Sequence, residues 1–299
     1  MKKLHLIIAA LFTAVVINAQ DSEPADTLWK VNGTFSLNFS QVALSNWAAG
    51  GENSFSGNGF VALSADYNDG KKLIWDNDLN LGYGLIIQGD DPTRKSDDKI
   101  EFSSKVGHKI SKSWYFSNMV KFKTQFAMGY DNPGEPDRLK ISNFMAPGYL
   151  NLVTGFDWKP VENFSLLLSP VSGKFTFVLD NDLQELGSFG VDSAKAARGE
   201  FGGYVKVSFK KELVKNIRIS TNLDLFSNYL FEPQNIDVNW DMLLTFKVND
   251  FVSASIIANL IYDHDIKFEE DTNGDGTMDR SGPRTQFKEL LGIGLTYAF

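Results

Sequence analysis

Within the stretch DTNGDGTMD, Asp271, Asn273 and Asp275 alternate, and Gly276 and Asp279 follow. These residues match the first, third, fifth, sixth and ninth positions of an EF-hand-type calcium loop, where hard oxygen ligands surround a divalent cation. The twelfth position is Gly282, so the bidentate carboxylate of that pattern is missing; Glu269, Glu270 and Asp265 lie near enough in sequence to supply one. The competing reading is an acidic, glycine-rich solvated loop. Asp271, Asn273, Asp275 and Asp279 are the candidate metal ligands, for Ca2+, and no other cofactor is expected.

A second set of charged residues falls on alternate positions of apolar segments. It comprises Asp76, Asp78, Glu101, Asp224, Asp237 and Asp241, with Lys105, Lys121, Lys123, Lys206, Arg218 and Lys288. Charges of both signs on the inner faces of a cylinder either line a water-filled path or cross-link the interior. Glu101 and Lys123 are expected to face each other across a turn at Ser111–Ser113. Chemistry of the bond-breaking kind has little support. Beyond the N-terminal segment the histidines are His108 and His264; His108 shares the phase of Val106 and Ile110, and His264 has no nucleophile at a defensible spacing. No enzyme activity is expected.

The elements that must position these charges are strands. WKVNGTFSLNF sets Trp29, Val31, Phe35, Leu37 and Phe39 against Lys30, Asn32, Thr34, Ser36 and Asn38. KIEFSSKVGHKI sets Ile100, Phe102, Val106 and Ile110 against Glu101, Ser103, Lys105 and Lys109. A period of two is the signature of a strand whose two faces meet different surroundings. The pattern recurs along the chain and predicts twelve strands, the last spanning Thr285–Phe299. In FSLLLSPVSGKFTFV the apolar phase slips between Leu168 and Phe175, with Pro170 and Gly173 at the slip, which predicts a bulge.

Connections alternate between tight turns near 68–72, 111–113, 159–163, 211–215 and 249–251 and longer segments at 41–53, 88–98, 131–147, 179–199 and 263–283, with 230–235 the one brief connection in the second set. That parity predicts an all-β, up-and-down antiparallel transmembrane barrel, with turns on the periplasmic side and loops outside. Trp29, Tyr67, Trp75, Trp114 and Trp158 sit beside the turns, and Tyr130, Tyr229 and Tyr262 beside the loops, as two interfacial girdles. A soluble barrel would share the alternation, but twelve apolar faces turned inward would enclose a wide greasy cavity.

Residues 1–19 read as a signal peptide, with Lys2 and Lys3 before an apolar run that is shorter than the roughly 20 residues of a spanning helix. Residues 20–299 form the barrel domain. The formal net charge of −8 and the absence of a basic stripe argue against nucleic acid, and zero cysteines leave no disulfide framework. The terminal aromatic strand LLGIGLTYAF is expected to be the seam that closes the cylinder and to carry the signal read by barrel-assembly machinery.

Three stretches, SNWAAGGENSFS, SPVSGKFTFV and FKELLGIGLTYAF, resemble the Bacteroidota outer-membrane barrels of domain-of-unknown-function family 3078. The resemblance implies a bacterial outer-membrane location and no established activity, and supplies no catalytic residues. In the first stretch, Trp47, Gly50 and Gly51 predict a folded outer loop. The functional expectation is a monomeric barrel in outer-membrane lipid, acting as a narrow pore or binding channel for small solutes. The alternative is a non-conducting envelope scaffold that binds partners through its outer loops.

Overall fold

Period-two alternation is realised as long antiparallel strands. The computed structural model describes residues 28–45, 52–131, 134, 138–270, 272–273 and 279–299. In chain order the strands are β1 (Trp29–Val42), β2 (Ser54–Asn68), β3 (Leu73–Gln88), β4 (Arg94–Lys109), β5 (Trp114–Thr124), β6 (Gly129–Tyr130), β7 (Lys140–Ser142) and β8 (Gly148–Trp158). They continue as β9 (Phe164–Phe177), β10 (Ala197–Val214), β11 (Ile217–Asn228), β12 (Ile236–Lys247), β13 (Val252–Tyr262), β14 (Lys267–Glu270), β15 (Arg280–Pro283) and β16 (Gln286–Ala298). Twelve of them close into one barrel in the order β1-β16-β13-β12-β11-β10-β9-β8-β5-β4-β3-β2. The pairs β6–β7 and β14–β15 are separate two-stranded hairpins in the longer connections. A short α-helix, α1 (Asn181–Glu185), and a 3-10 turn at Ser188–Gly190 lie between β9 and β10. Among the described residues no helix is long and apolar enough to cross a membrane.

Tight turns are set by side chains that imitate a backbone acceptor. Asp69 Oδ1 accepts from the amides of Lys71, Lys72 and Leu73 at 2.8–2.9 Å, and Asn249 Oδ1 accepts from Phe251 and Val252 at 2.8 and 2.7 Å. Asp and Asn are turn residues for this reason. At the seam, β16 pairs with β1 from Thr34–Ala298 to Asn38–Gly294, and Phe299 exchanges backbone hydrogen bonds with Gly33 at 2.9 and 3.0 Å. The Phe299 ring stacks near Phe35 and occupies the space a Cβ on Gly33 would need.

The bulge lies where the apolar phase slips. On β9, Ser169, Pro170 and Val171 are accommodated where β8 and β10 each advance by fewer residues. Leu166 and Leu168 lie on the outer phase before it and Phe175 after it. Ser169 Oγ donates to either Thr154 O or Val171 O, both at 2.7 Å, and Pro170 has no N–H to leave unpaired. Gly155 is required opposite: a Cβ there would come 2.2 Å from Leu168 O.

Two expected boundaries differ. Segment 88–98 is mostly strand, since β3 runs to Gln88 and β4 starts at Arg94; the charges of RKSDDK hide the alternation because their inner face is matched by ion pairs rather than apolar contact. The strand expected to continue to Tyr130 ends at Thr124, where Asp98 accepts from the amides of Phe126 and Ala127 at 2.6 and 3.1 Å and turns the chain. Residues 1–19, Trp47, Gly50 and Gly51 lie outside the described residues.

The outer and inner faces have opposite chemistry. Phe102, Val106, Phe116, Val120, Leu152 and Phe156 stand exposed on the outside, while Glu101, Lys105, Lys121, Asp157, Lys174 and Asp224 are buried within. Aromatic rings form a belt at the turn end, with Trp29 5.2 Å from Tyr67 and 5.5 Å from Trp75, and Trp114 6.3 Å from Trp158. Phe201–Tyr229 and Tyr83–Phe126 mark the loop end at 6.1 and 6.3 Å. An apolar exterior between aromatic girdles, on a sheet whose first and last strands pair to close it, is the construction of an outer-membrane barrel.

Candidate functional site

Among the described residues, ionisable side chains converge in the lumen from every side of the barrel. Near the turn end, Lys105 Nζ donates to Asp157 at 2.6 Å and Ser165 Oγ at 3.0 Å, and lies 3.4 Å from Asp76. Lys159 reaches the same Asp76 at 2.5 Å, and Lys210 reaches Asp78 at 2.5 Å.

At mid-height the bridges cross the cylinder. Lys99 on β4 donates to Asp241 on β12 at 3.0 Å, and these strands are six apart in the barrel order, diametrically opposed. Lys121 on β5 pairs with Asp224 on β11, Tyr204 donates to the same carboxylate at 2.5 Å, and Lys206 lies 3.8 Å from it. Asn239 donates to Asp241 at 3.2 Å, and Asn259 also hydrogen-bonds Asp241. Charge-assisted bonds of this kind are stronger than neutral ones.

The expected Glu101–Lys123 pair has the right register but not the contact. The two residues are cross-strand neighbours. Glu101 instead lies 3.2 Å from Lys99 and 3.5 Å from Lys121, while Lys123 reaches over the lumen to Asn239 at 3.1 Å. Long lysine side chains in a narrow cylinder reach the opposite wall as readily as the next strand. Arg218 lies on the same strand face as Asp224 but is exposed at the turn end of β11, away from the crossed bridges.

The lumen is also partly apolar, which alternation alone did not reveal. Met119, Val153, Leu167, Tyr204 and Phe226, from β5, β8, β9, β10 and β11, form a buried cluster on the inner face. Leu167 is fully buried there. The phase slip at the bulge is the sequence signal that assigns it inward. Lys99, Asp157, Tyr204 and Asn239 were likewise absent from the expected lining; Asp157 was recoverable from its parity with Asn151 and Val153.

Toward the outer mouth, Lys174 reaches Asp237 at 2.6 Å and Asp263 at 2.9 Å, and Arg198 reaches Asp265 at 2.6 Å and Glu200 at 3.1 Å. Lys288 reaches Asp97 at 2.6 Å. Above them, Ala146, Val178, Leu183 and Val191 form a small second core that folds the connections around α1 together. Asp180 caps α1, accepting from the amide of Leu183, and holds Asn143 at 2.8 Å and Lys140 at 3.0 Å. Burial would raise the Asp180 carboxyl, but the hydrogen bonds from Asn143 and Lys140 prevail and hold it below the usual carboxylate range. The hydrogen bonds that its ammonium donates to Asp182 and Asp180 push Lys140 up to about 12.

Of the calcium candidates, Asp271 and Asp275 lie outside the described residues. Asp279 accepts from the Thr272 amide at 3.0 Å and hydroxyl at 2.7 Å, bonds that lower its carboxyl. Among the described residues no group of three or more His, Cys, Asp or Glu side chains is arranged to hold a metal. His108 is exposed on the lipid-facing side opposite Leu73. His264 lies 3.4 Å from both Tyr262 Oη and Glu232, not beside a serine.

The family model described as Protein of unknown function (DUF3078) matches residues 39–130. That match supports the family resemblance. It includes SNWAAGGENSFS; the other two stretches lie beyond it. A search of curated proteins finds no match. Among solved structures, the translocator domain of autotransporter NalP from Neisseria meningitidis is similar at 9% identity, covering 100% of this chain and 97% of that one, with a TM-score of 0.39. A FadL homologue from Pseudomonas aeruginosa has 9% identity over 90% and 89% of the two chains, with a TM-score of 0.28. Salmonella typhi OmpF, in complex with daunomycin, has 7% identity over 91% and 97%, with a TM-score of 0.28. The outer-membrane barrel assignment rests on this chain's own closed ladder and on the chemistry of its two faces.

Proposed function

We propose that the protein is a non-conducting outer-membrane barrel that serves as an envelope scaffold and engages partners through its outer loops. The diametric Lys99–Asp241 bridge carries this reading, because it occupies the lumen where a solute would have to pass. The apolar cluster of Met119, Val153, Leu167, Tyr204 and Phe226 favours it further by filling one side of the same cylinder. A twelve-stranded barrel is narrow enough for side chains to span, unlike the 16-stranded porins of about that size class that hold an aqueous channel. A Bacteroidota origin is part of the same reading, supported by the resemblance of its sequence stretches to barrels of that group.

Small-solute binding at the outer mouth is a second reading, favoured by the polar groups of Glu200, Asn228, Glu232, Asn235, Asp237, His264 and Asp265 that line a shallow depression there. A solute bound there would be retained at the surface rather than passed inward. Planar-bilayer recording of the purified protein tests the principal reading. It should insert without a steady conductance; a large, stable single-channel current would make it a pore.

A further inference from the structure

The barrel wall is incomplete along one seam. The β1–β16 ladder ends at Asn38–Gly294. Above that point Phe39–Val42 remain paired with β2, and Gln286–Ile293 with β13, so among the described residues each lip is paired on one side alone. Glycine makes the junction below: a Cβ on Gly294 would come 2.0 Å from Leu37 O, and one on Gly292 would come 2.9 Å from Asn38 Cγ. The strands approach closely there, and their pairing stops on the outer side. Side chains on the lips lack the cover that an intact wall provides. Leu291 and Ile293 are 71% and 65% exposed, against 58% and 51% for Leu295 and Leu37, which face each other inside the paired part of the same seam.

Polar groups stand on the lipid-facing side of both lips. Gln41 shares the outward phase of Leu37 and Phe39, and Glu289 that of Leu291 and Ile293. Glu289 pairs in register with Ala258, below Tyr262 on β13, and so lies on the membrane side of the outer aromatic girdle. Other polar side chains on this face are satisfied by a neighbouring strand: Asn77 by Ser104, Asn118 by Thr154, and Thr221 by Trp240. Among the described residues Gln41 and Glu289 have no such partner. A carboxylate and free strand edges in a lipid-facing band are costly unless something polar meets them, and an ionisable residue there marks function.

We propose that the outer half of the β1–β16 seam is a lateral binding site for one amphiphile with an amine headgroup, taken from the surrounding membrane. The amine meets Glu289 and the Gln41 carbonyl. The chain lies against Phe39, Leu291 and Ile293. A second copy of the protein is a poorer occupant, because a two-fold contact would bring two Glu289 carboxylates together. The site is independent of whether the lumen conducts, since it opens through the wall.

The test uses the full chain in phosphatidylcholine vesicles with spin-labelled stearylamine or spin-labelled stearic acid, reading the motionally restricted fraction by electron paramagnetic resonance. Wild type should prefer the amine by about 5-fold, at one saturable site per barrel, the size expected for one modest ion pair. Glu289→Gln should remove the preference and Gln41→Leu should weaken it, while His108→Gln, on the lipid face elsewhere, should leave it intact. The gel-mobility shift of the unheated barrel verifies folding of each variant. Equal affinity of wild type for amine and acid would overturn the proposal. So would a preference that survives Glu289→Gln, or cross-linking that shows a second copy covering the seam.

Discussion

Removing Asp224 tests the closed lumen most directly. Its carboxylate holds the Lys121 ammonium and the Tyr204 hydroxyl, with Lys206 3.8 Å away, and the Lys121 and Asp224 side chains are 5% and 8% exposed. In Asp224→Ala the Lys121 charge stays buried and keeps one carboxylate, Glu101, at 3.5 Å. Breaking one side of a buried pair costs about 3–5 kcal/mol, and the remaining Glu101 places this case near the lower bound. Lys121→Met/Asp224→Leu removes both charges and leaves apolar groups beside Met119 and Phe226. Replacing both members is expected to recover part of the loss, since well-packed apolar substitutes for buried pairs are often neutral, while Lys206 and Tyr204 still lose their carboxylate. Urea unfolding of vesicle-inserted protein, followed by tryptophan fluorescence and by gel mobility, measures both variants. If Asp224→Ala lies within about 1 kcal/mol of wild type, the pair is worth no more than a solvated one. The lumen would then be water-filled, and the reasoning from crossed bridges would fail.

Three other perturbations follow from particular contacts. Gly155→Ala should destabilise the barrel by about 1–3 kcal/mol, as overpacking does, because the added Cβ meets Leu168 O at 2.2 Å; an unchanged unfolding midpoint would contradict the bulge geometry. Deleting Tyr297–Phe299 removes the Gly33–Phe299 hydrogen bonds and the Phe35 contact, so barrel levels in the membrane should fall, and normal levels would count against a closing role. The depressed Asp180 carboxyl stabilises the outer cap fully above its unfolded value, near 3.8, and loses that contribution as pH falls through the lower folded value. Pepsin cleavage of the 178–196 connection should therefore rise steeply below that pH in wild type, whereas Asp180→Ala should be cleaved readily at every pepsin-accessible pH; identical profiles would show that the cap does not depend on this charge.

Local chemistry determined much of this protein in its sequence. Alternation is written in neighbouring residues, so the strands, the tight turns at Asp69 and Asn249, and the phase slip at Pro170 were all legible one segment at a time. It failed where both strand faces carry charge, as at Arg94–Asp98, since no apolar residue there reports which face meets lipid. Tertiary structure alone decided the partners inside the cylinder. Lys99 meets Asp241, and Lys123 meets Asn239 rather than its register neighbour Glu101, because closure of twelve tilted strands brings residues far apart in the chain to the same height across a narrow lumen. The sequence also announced that β16 would be the closing strand, from the apolar alternation of Leu291, Ile293, Leu295 and Tyr297. That its ladder with β1 stops at Gly294 is a property of how two strand ends meet, where carbonyl and glycine approach closely, and no residue pattern along either strand encodes that length.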